Sequence, residues 1–184
     1  KKADPENKLL ARAPRFRMSG EMIRDYVLTT SGLLNQEIGG PSVKPYQPAG
    51  LWEETNAGGN RGVLTTYITD EGNDLYRRSL YTFWKRTLPP PNMTIFDAPT
   101  RDFSEVRRQK TNTPLQALVL QNDVQILEAA RVMSQRMINE KPDNPDVVTD
   151  VFKRILVRSP KKEELLTLDA YYHDALELYK NDIE

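Results

Sequence analysis

The chain has 184 residues, of which 38% are apolar and 28% charged, with no cysteine, one histidine and a formal net charge of zero. That length supports one sizeable core or two small ones, and the missing cysteine excludes disulfides, thiolate catalysis, zinc ribbons and haem attached through a Cys-x-x-Cys-His motif within these residues. No apolar run approaches the roughly 20 residues that cross a bilayer, and a chain without net charge is a poor candidate for nucleic-acid binding.

Residues 1–18 begin without an initiator Met and carry no apolar leader segment, so they are expected to be a linker at the edge of a larger protein. Residues 19–184 are expected to form a single, mostly helical domain in which 113–184 is a C-terminal helical subregion. Ser19 caps a predicted helix through Leu34, with Met22, Ile23, Tyr26, Val27, Thr30 and Leu34 at three- and four-residue steps. From Asn35 to Gly62, glycines and prolines are too dense for a helix, and the segment reads as a long surface excursion pinned by Tyr46, Leu51 and Trp52. Val63 to Ile68 is the strand candidate, rich in β-branched and aromatic residues.

Asp74 then caps a predicted helix of about twelve residues carrying Leu75, Leu80, Phe83 and Trp84, which stops before an extended Pro89-Pro90-Pro91 segment. Thr113-Pro114-Leu115-Gln116 has the hydroxyl, the proline and the back-reaching amide of a capping box. Its helix continues to about Asn139 with an interruption at Asn122 and Asp123. Asn144-Pro145 and Ser159-Pro160 open the last two helices, and short connections predict that consecutive members pack antiparallel. The fold class is therefore mainly α, a bundle-like helical domain with a long Pro/Gly-rich loop layer and at most one or two short strands.

Candidate chemistry concentrates in the middle of the chain. Arg77 to Lys110 holds eight basic residues against three acidic ones, and Arg77, Arg78, Arg101, Arg107 and Arg108 stand near Tyr81 and Trp84. Guanidinium groups beside aromatic rings suit sulfate, phosphate, carboxylate or sugar faces, and they equally suit a structural network tied to carboxylates and helix ends. Glu53, Glu54, Asp97 and Asp102 supply an alternative polar pocket for acid–base chemistry. Glu163 and Glu164 fit a favourable first helical turn, and His173 with Glu177 falls short of a metal site. The glycine-rich run Asn56 to Gly62 lacks the ending of a phosphate loop, and Asn92-Met93-Thr94 matches a glycosylation acceptor by composition alone.

Two stretches carry a family likeness, Asp74-Leu75-Tyr76-Arg77-Arg78-Ser79-Leu80-Tyr81-Thr82-Phe83-Trp84-Lys85-Arg86-Thr87-Leu88-Pro89-Pro90-Pro91 and Val106-Arg107-Arg108-Gln109-Lys110-Thr111-Asn112-Thr113-Pro114-Leu115-Gln116-Ala117-Leu118. Together with Glu21 to Leu34, Gly39-Gly40-Pro41-Ser42-Val43, Pro45-Tyr46-Gln47-Pro48 and Phe96-Asp97-Ala98-Pro99, they make the chain resemble the planctomycete-specific PSD-one domain, domain of unknown function 1553, over about residues 15 to 158. The resemblance implies the C-terminal part of a large exported protein, periplasmic or at the cell surface, with a companion domain and often a separate cytochrome c-like haem domain. It further implies an association with polysaccharide breakdown, and it transfers no catalytic residue. The chain departs from the family pattern at Ser104, where many relatives have Cys, and at Val124, where Pro often follows Asn-Asp. Two functional readings stand side by side, with an inert structural spacer as a third. One is a non-catalytic module that binds a companion domain of the same polypeptide or an anionic polysaccharide, with no cofactor of its own. The other is a share in a polysaccharide-processing hydrolase or redox enzyme completed by other domains.

Overall fold

A computed structural model describes residues 4–9, 16–56, 66–142 and 144–181. Helices dominate, and among the described residues β structure is confined to the isolated bridges Asn35 with Arg77, Val43 with Thr82 and Lys85 with Leu88. The expected mainly helical class with a loop layer is observed. Of the strand candidate, residues 63–65 lie outside the described residues, and 66–68 belong to no strand or bridge.

The chain forms two compact units, one from Lys1–Tyr26 with Asn35–Asp123 and one from Val27–Leu34 with Val124–Glu184. The division at Asp123 falls within the region 113–184 that the sequence groups together. Helix α1 (Gly20–Ser31) contributes to both. Ser19 Oγ accepts a bond from the Met22 amide at its start, as expected. The helix ends three residues before Leu34 because Gly32 turns left-handed at φ +82°, and the amides of Gly32, Leu33 and Leu34 all donate to Leu28 O. That is the glycine-terminated ending in which the last orphan carbonyls find donors beyond the helix.

In the first unit, the segment expected to be a helix from Asp74 is two short 3-10 turns, Gly72–Tyr76 and Ser79–Tyr81. A helix needs its own carbonyls for its own amides, and here they are taken from outside. Arg24 Nη2 and Nη1 donate to Leu75 O and Arg77 O at 2.8 and 2.7 Å, Asn35 N donates to Tyr76 O, and Val43 N donates to Tyr81 O. Tertiary demand overrides local propensity. The buried Arg24 guanidinium is pulled down to about 10 by loss of solvent, opposed by the charges of Asp25 and Asp123. Asp25 completes the clamp by accepting the Ser79 amide at 2.7 Å.

Among its described residues the excursion after α1 contains one short helix, α2 (Leu51–Asn56), so Glu53 and Glu54 sit in a first helical turn rather than in the loop the sequence suggested. Trp52 is buried against Tyr67 and Phe83, at ring separations of 5.1 and 6.1 Å, and its indole N–H donates to Gln47 Oε1. The triple proline is only partly extended: Pro90 remains so, while Pro91 becomes the first residue of the single-turn helix α3 (Pro91–Thr94), a position where its missing N–H costs nothing. Gly20 lies against this turn so closely that a Cβ would stand 2.9 Å from Met93 O. Helix α4 (Pro114–Asn122) starts on the predicted capping box, with both reciprocal bonds formed, and ends at Asp123 in extended backbone. The break occurs with valine, not proline, at position 124.

In the second unit, α5 (Val124–Glu140) buries Gln125, Ala129, Met133 and Met137 at four-residue steps. Arg136 Nη1 donates to Ser31 O at 2.8 Å. Ion pairs Lys141–Asp150 and Arg154–Glu140, both 2.9 Å, link its end to α6 (Val147–Leu156), which buries Phe152. Helix α6 packs against α7 (Lys162–Asn181).

Candidate functional site

The sequence candidates separate into a buried set and an exposed set. Arg77 is 3% exposed, and its fork donates to Pro41 O at 2.9 Å, to Glu37 O at 3.5 Å and to Gly39 O. Its guanidinium also lies 3.9 Å from the centre of the Tyr81 ring, and the Tyr81 hydroxyl accepts the Gly39 amide. The motif Gly39-Gly40-Pro41 is thus an arc wrapped round Arg77 and Tyr81, which act as its internal post. Arg78 points elsewhere, with Nε 3.8 Å from Asp25.

The exposed set belongs to the segment 98–110, whose ends are drawn together by a latch. Asp97 accepts the Thr111 amide at 2.6 Å and its hydroxyl at 2.8 Å. Gln116, 2% exposed, donates to Ile95 O at 2.8 Å and to Thr111 Oγ1 at 3.0 Å, while its carbonyl accepts the Thr113 amide and Arg17. The same glutamine therefore caps α4 and closes the loop. Asp97 and Arg101 both hold positive φ, +61° and +67°, a backbone state that non-glycine residues keep only when surrounding bonds enforce it.

Beyond the latch, every residue from Arg101 to Lys110 is exposed. Arg101 lies 4.4 Å over the Trp84 ring, whose indole N–H donates to Thr100 O at 3.0 Å. Arg108 grips both oxygens of Glu21 at 3.1 Å. Burial opposes ionisation of Glu21, but its own backbone N–H, the Ser19 hydroxyl and Arg108 outweigh it and hold the carboxyl below its ordinary value. Arg101, Asp102 and Arg108 line an open recess of about 430 Å³, and Arg107, Arg108 and Lys110 line another of about 420 Å³. Phe103 is 69% exposed and Val106 wholly so.

Of the sequence candidates, the structure brings Arg101 to Trp84, joins Arg101, Arg107 and Arg108 on one loop, and sets buried Arg77 against half-buried Tyr81 in a separate pair. In the alternative set, Asp102 lines the first recess, Asp97 is engaged by Thr111, and Glu53 and Glu54 are exposed on α2. Sequence reasoning passed over Phe103, Val106 and the Asp97–Thr111–Gln116 latch. Two large apolar residues inside a charged, aperiodic stretch were the available signal for the first two.

These features define a mainly helical domain that displays a cationic, apolar-tipped loop. Residues 1–172 match the family described as Protein of unknown function (DUF1553), and the chain belongs to that family. No curated protein and no solved structure matches it.

Proposed function

We propose that the domain is a non-catalytic binding and scaffolding module of an exported multidomain protein, and that it holds a companion domain of the same polypeptide through the 98–110 loop. One observation carries this reading: the loop is closed at its base by half-buried hydrogen bonds, yet turns Phe103 and Val106 to solvent beside Arg101, Arg107 and Lys110. Apolar anchors next to arginine are the composition of interface hot spots, and a loop fixed at its base loses less entropy on docking. The family likeness supports the exported setting. A haem group, where the full-length protein carries one, belongs to another domain.

The test measures binding of the complete chain to its companion domain by calorimetry. Phe103→Ala with Val106→Asp should weaken it by about a hundredfold, the effect of losing two anchors. If these substitutions leave binding unchanged while Arg101→Ala and Arg107→Ala abolish affinity for a sulfated oligosaccharide, the partner is an anionic glycan instead. The enzymatic alternative takes its support from Asp102, which lines the recess beside Arg101 and Arg108. Polysaccharide turnover by the full-length protein that disappears in Asp102→Asn would favour it.

A further inference from the structure

Helix α7 buries none of its side chains fully, although it runs for 20 residues. It packs against α6, and its edge Leu165, Asp169 and Leu176 is half-buried, as are Glu164 and Ala175. Beside that edge lies a second stripe. Leu168, Tyr171, Ala175 and Leu178 follow one another at steps of three, four and three, with Tyr172 and Tyr179 along the same side. Tyr171, Leu178 and Tyr179 are 74%, 65% and 71% exposed.

Steps of three and four are the seam of a helix-to-helix contact, whereas the solvent side of a surface helix ordinarily carries polar residues. The seam is about 15 Å long at 1.5 Å per residue, and Ala175 at its middle lets a partner backbone come close. The charges choose the partner. Helix α7 carries Glu163, Glu164, Asp169, Asp174 and Glu177 against Lys162 and Lys180. Asp174 stands one turn from both Tyr171 and Leu178, whereas Glu164, one turn from Leu168, is already paired with Arg158. A second copy of α7 would set acid against acid.

We propose that this seam docks a cationic amphipathic helix of a partner protein, with apolar residues at its a and d positions and lysine or arginine beside them. The proposal is independent of the 98–110 loop.

The test uses the complete chain and a designed peptide of about three heptads with Leu at a and d and Lys at e and g, titrated by calorimetry. One peptide should bind per chain, and Tyr171→Asp with Leu178→Asp should raise its Kd at least about tenfold. Neither side chain is buried, so the circular dichroism of the variant should match that of the parent, and Val106→Asp in the loop should leave peptide binding unchanged. The same peptide with Glu in place of Lys should bind at least about tenfold more weakly. Absent binding, equal binding by the double variant, or equal binding of the two peptides would overturn the proposal. So would self-association of the chain that the same two substitutions abolish, since the occupant would then be a second copy.

Discussion

The two units of the chain are held by different chemistry. In the first, long segments with little regular structure are fastened by side chains that reach backbone carbonyls: Arg24 to Leu75 and Arg77, Arg77 to Glu37, Gly39 and Pro41, Gln116 to Ile95. In the second, α5 and α6 bury Ala129, Met133, Met137 and Phe152, and ion pairs fasten the helix ends. Arginine is suited to the first task because its planar fork supplies five donors and stays charged at any ordinary pH. A loop layer cannot satisfy its own carbonyls as a helix does, so donors come from side chains as well as from distant backbone amides. The cationic middle of the sequence therefore contains two populations, arginines that build the layer and arginines that face solvent.

The sharpest way to break this contrast is Arg24→Ala. It removes the charge-assisted bonds to Leu75 O, Arg77 O and Ser79 Oγ in a buried place, a loss of about 3 kcal/mol or more. Hydrogen exchange should show the amides of Asn35, Val43 and Phe83 losing protection, while those of α5 keep theirs. Met133→Ala is the matching change in the second unit. It creates a cavity on the buried face of α5 and should cost about 2–4 kcal/mol in denaturant unfolding, with the α5 amides now the ones that lose protection.

The same contrast explains what could be read in advance. The second unit was legible because periodicity reports the buried face directly: the expected helices ending near Asn139 and opening after Asn144 and Ser159 correspond to α5, α6 and α7. The capping box at Thr113 was legible because all its partners lie within four residues. The segment from Asp74 was misread because its composition permits a helix, and only the distant Arg24, Asn35 and Val43 remove its carbonyls from that use. The exposed arginines could be named but not sorted. Nothing in the local sequence distinguishes Arg77, whose acceptors lie some forty residues upstream, from Arg107, whose surroundings are solvent.

Gly32→Ala probes the joint where α1 gives way to the loop. An alanine there must hold a left-handed backbone, and its Cβ would stand 1.4 Å from Arg136 Nη1, which must then release Ser31 O. Because the obstacle is the end of a flexible side chain, the dominant cost is the backbone, about 1–2 kcal/mol, together with the displaced hydrogen bond. Thermal unfolding of Gly32→Ala and of Arg136→Ala separates the two contributions: the arginine variant alone should lose the smaller part.

The weakest expected effect tests whether the charged helix ends of the second unit matter. Arg158 holds both oxygens of Glu164 at 2.7 and 2.8 Å, and the Lys161 amide adds a third bond at the first turn of α7. These bonds, the arginine first, hold the Glu164 carboxyl down at about 2. A free glutamate titrates near ~4.3, so the bonds favour the folded state above that pH, and their contribution fades as acid is added through the interval down to about 2. Carbon-detected NMR should find the Glu164 midpoint well below that of a free glutamate. In Arg158→Ala it should move up toward the free value, and the first turn of α7 should fray at a higher pH than in the parent. Because the pair is open to solvent and screened by salt, raising the ionic strength should shrink the difference between the two proteins. A Glu164 midpoint that ignores both Arg158 and salt would mean that the helix end is set by its backbone alone.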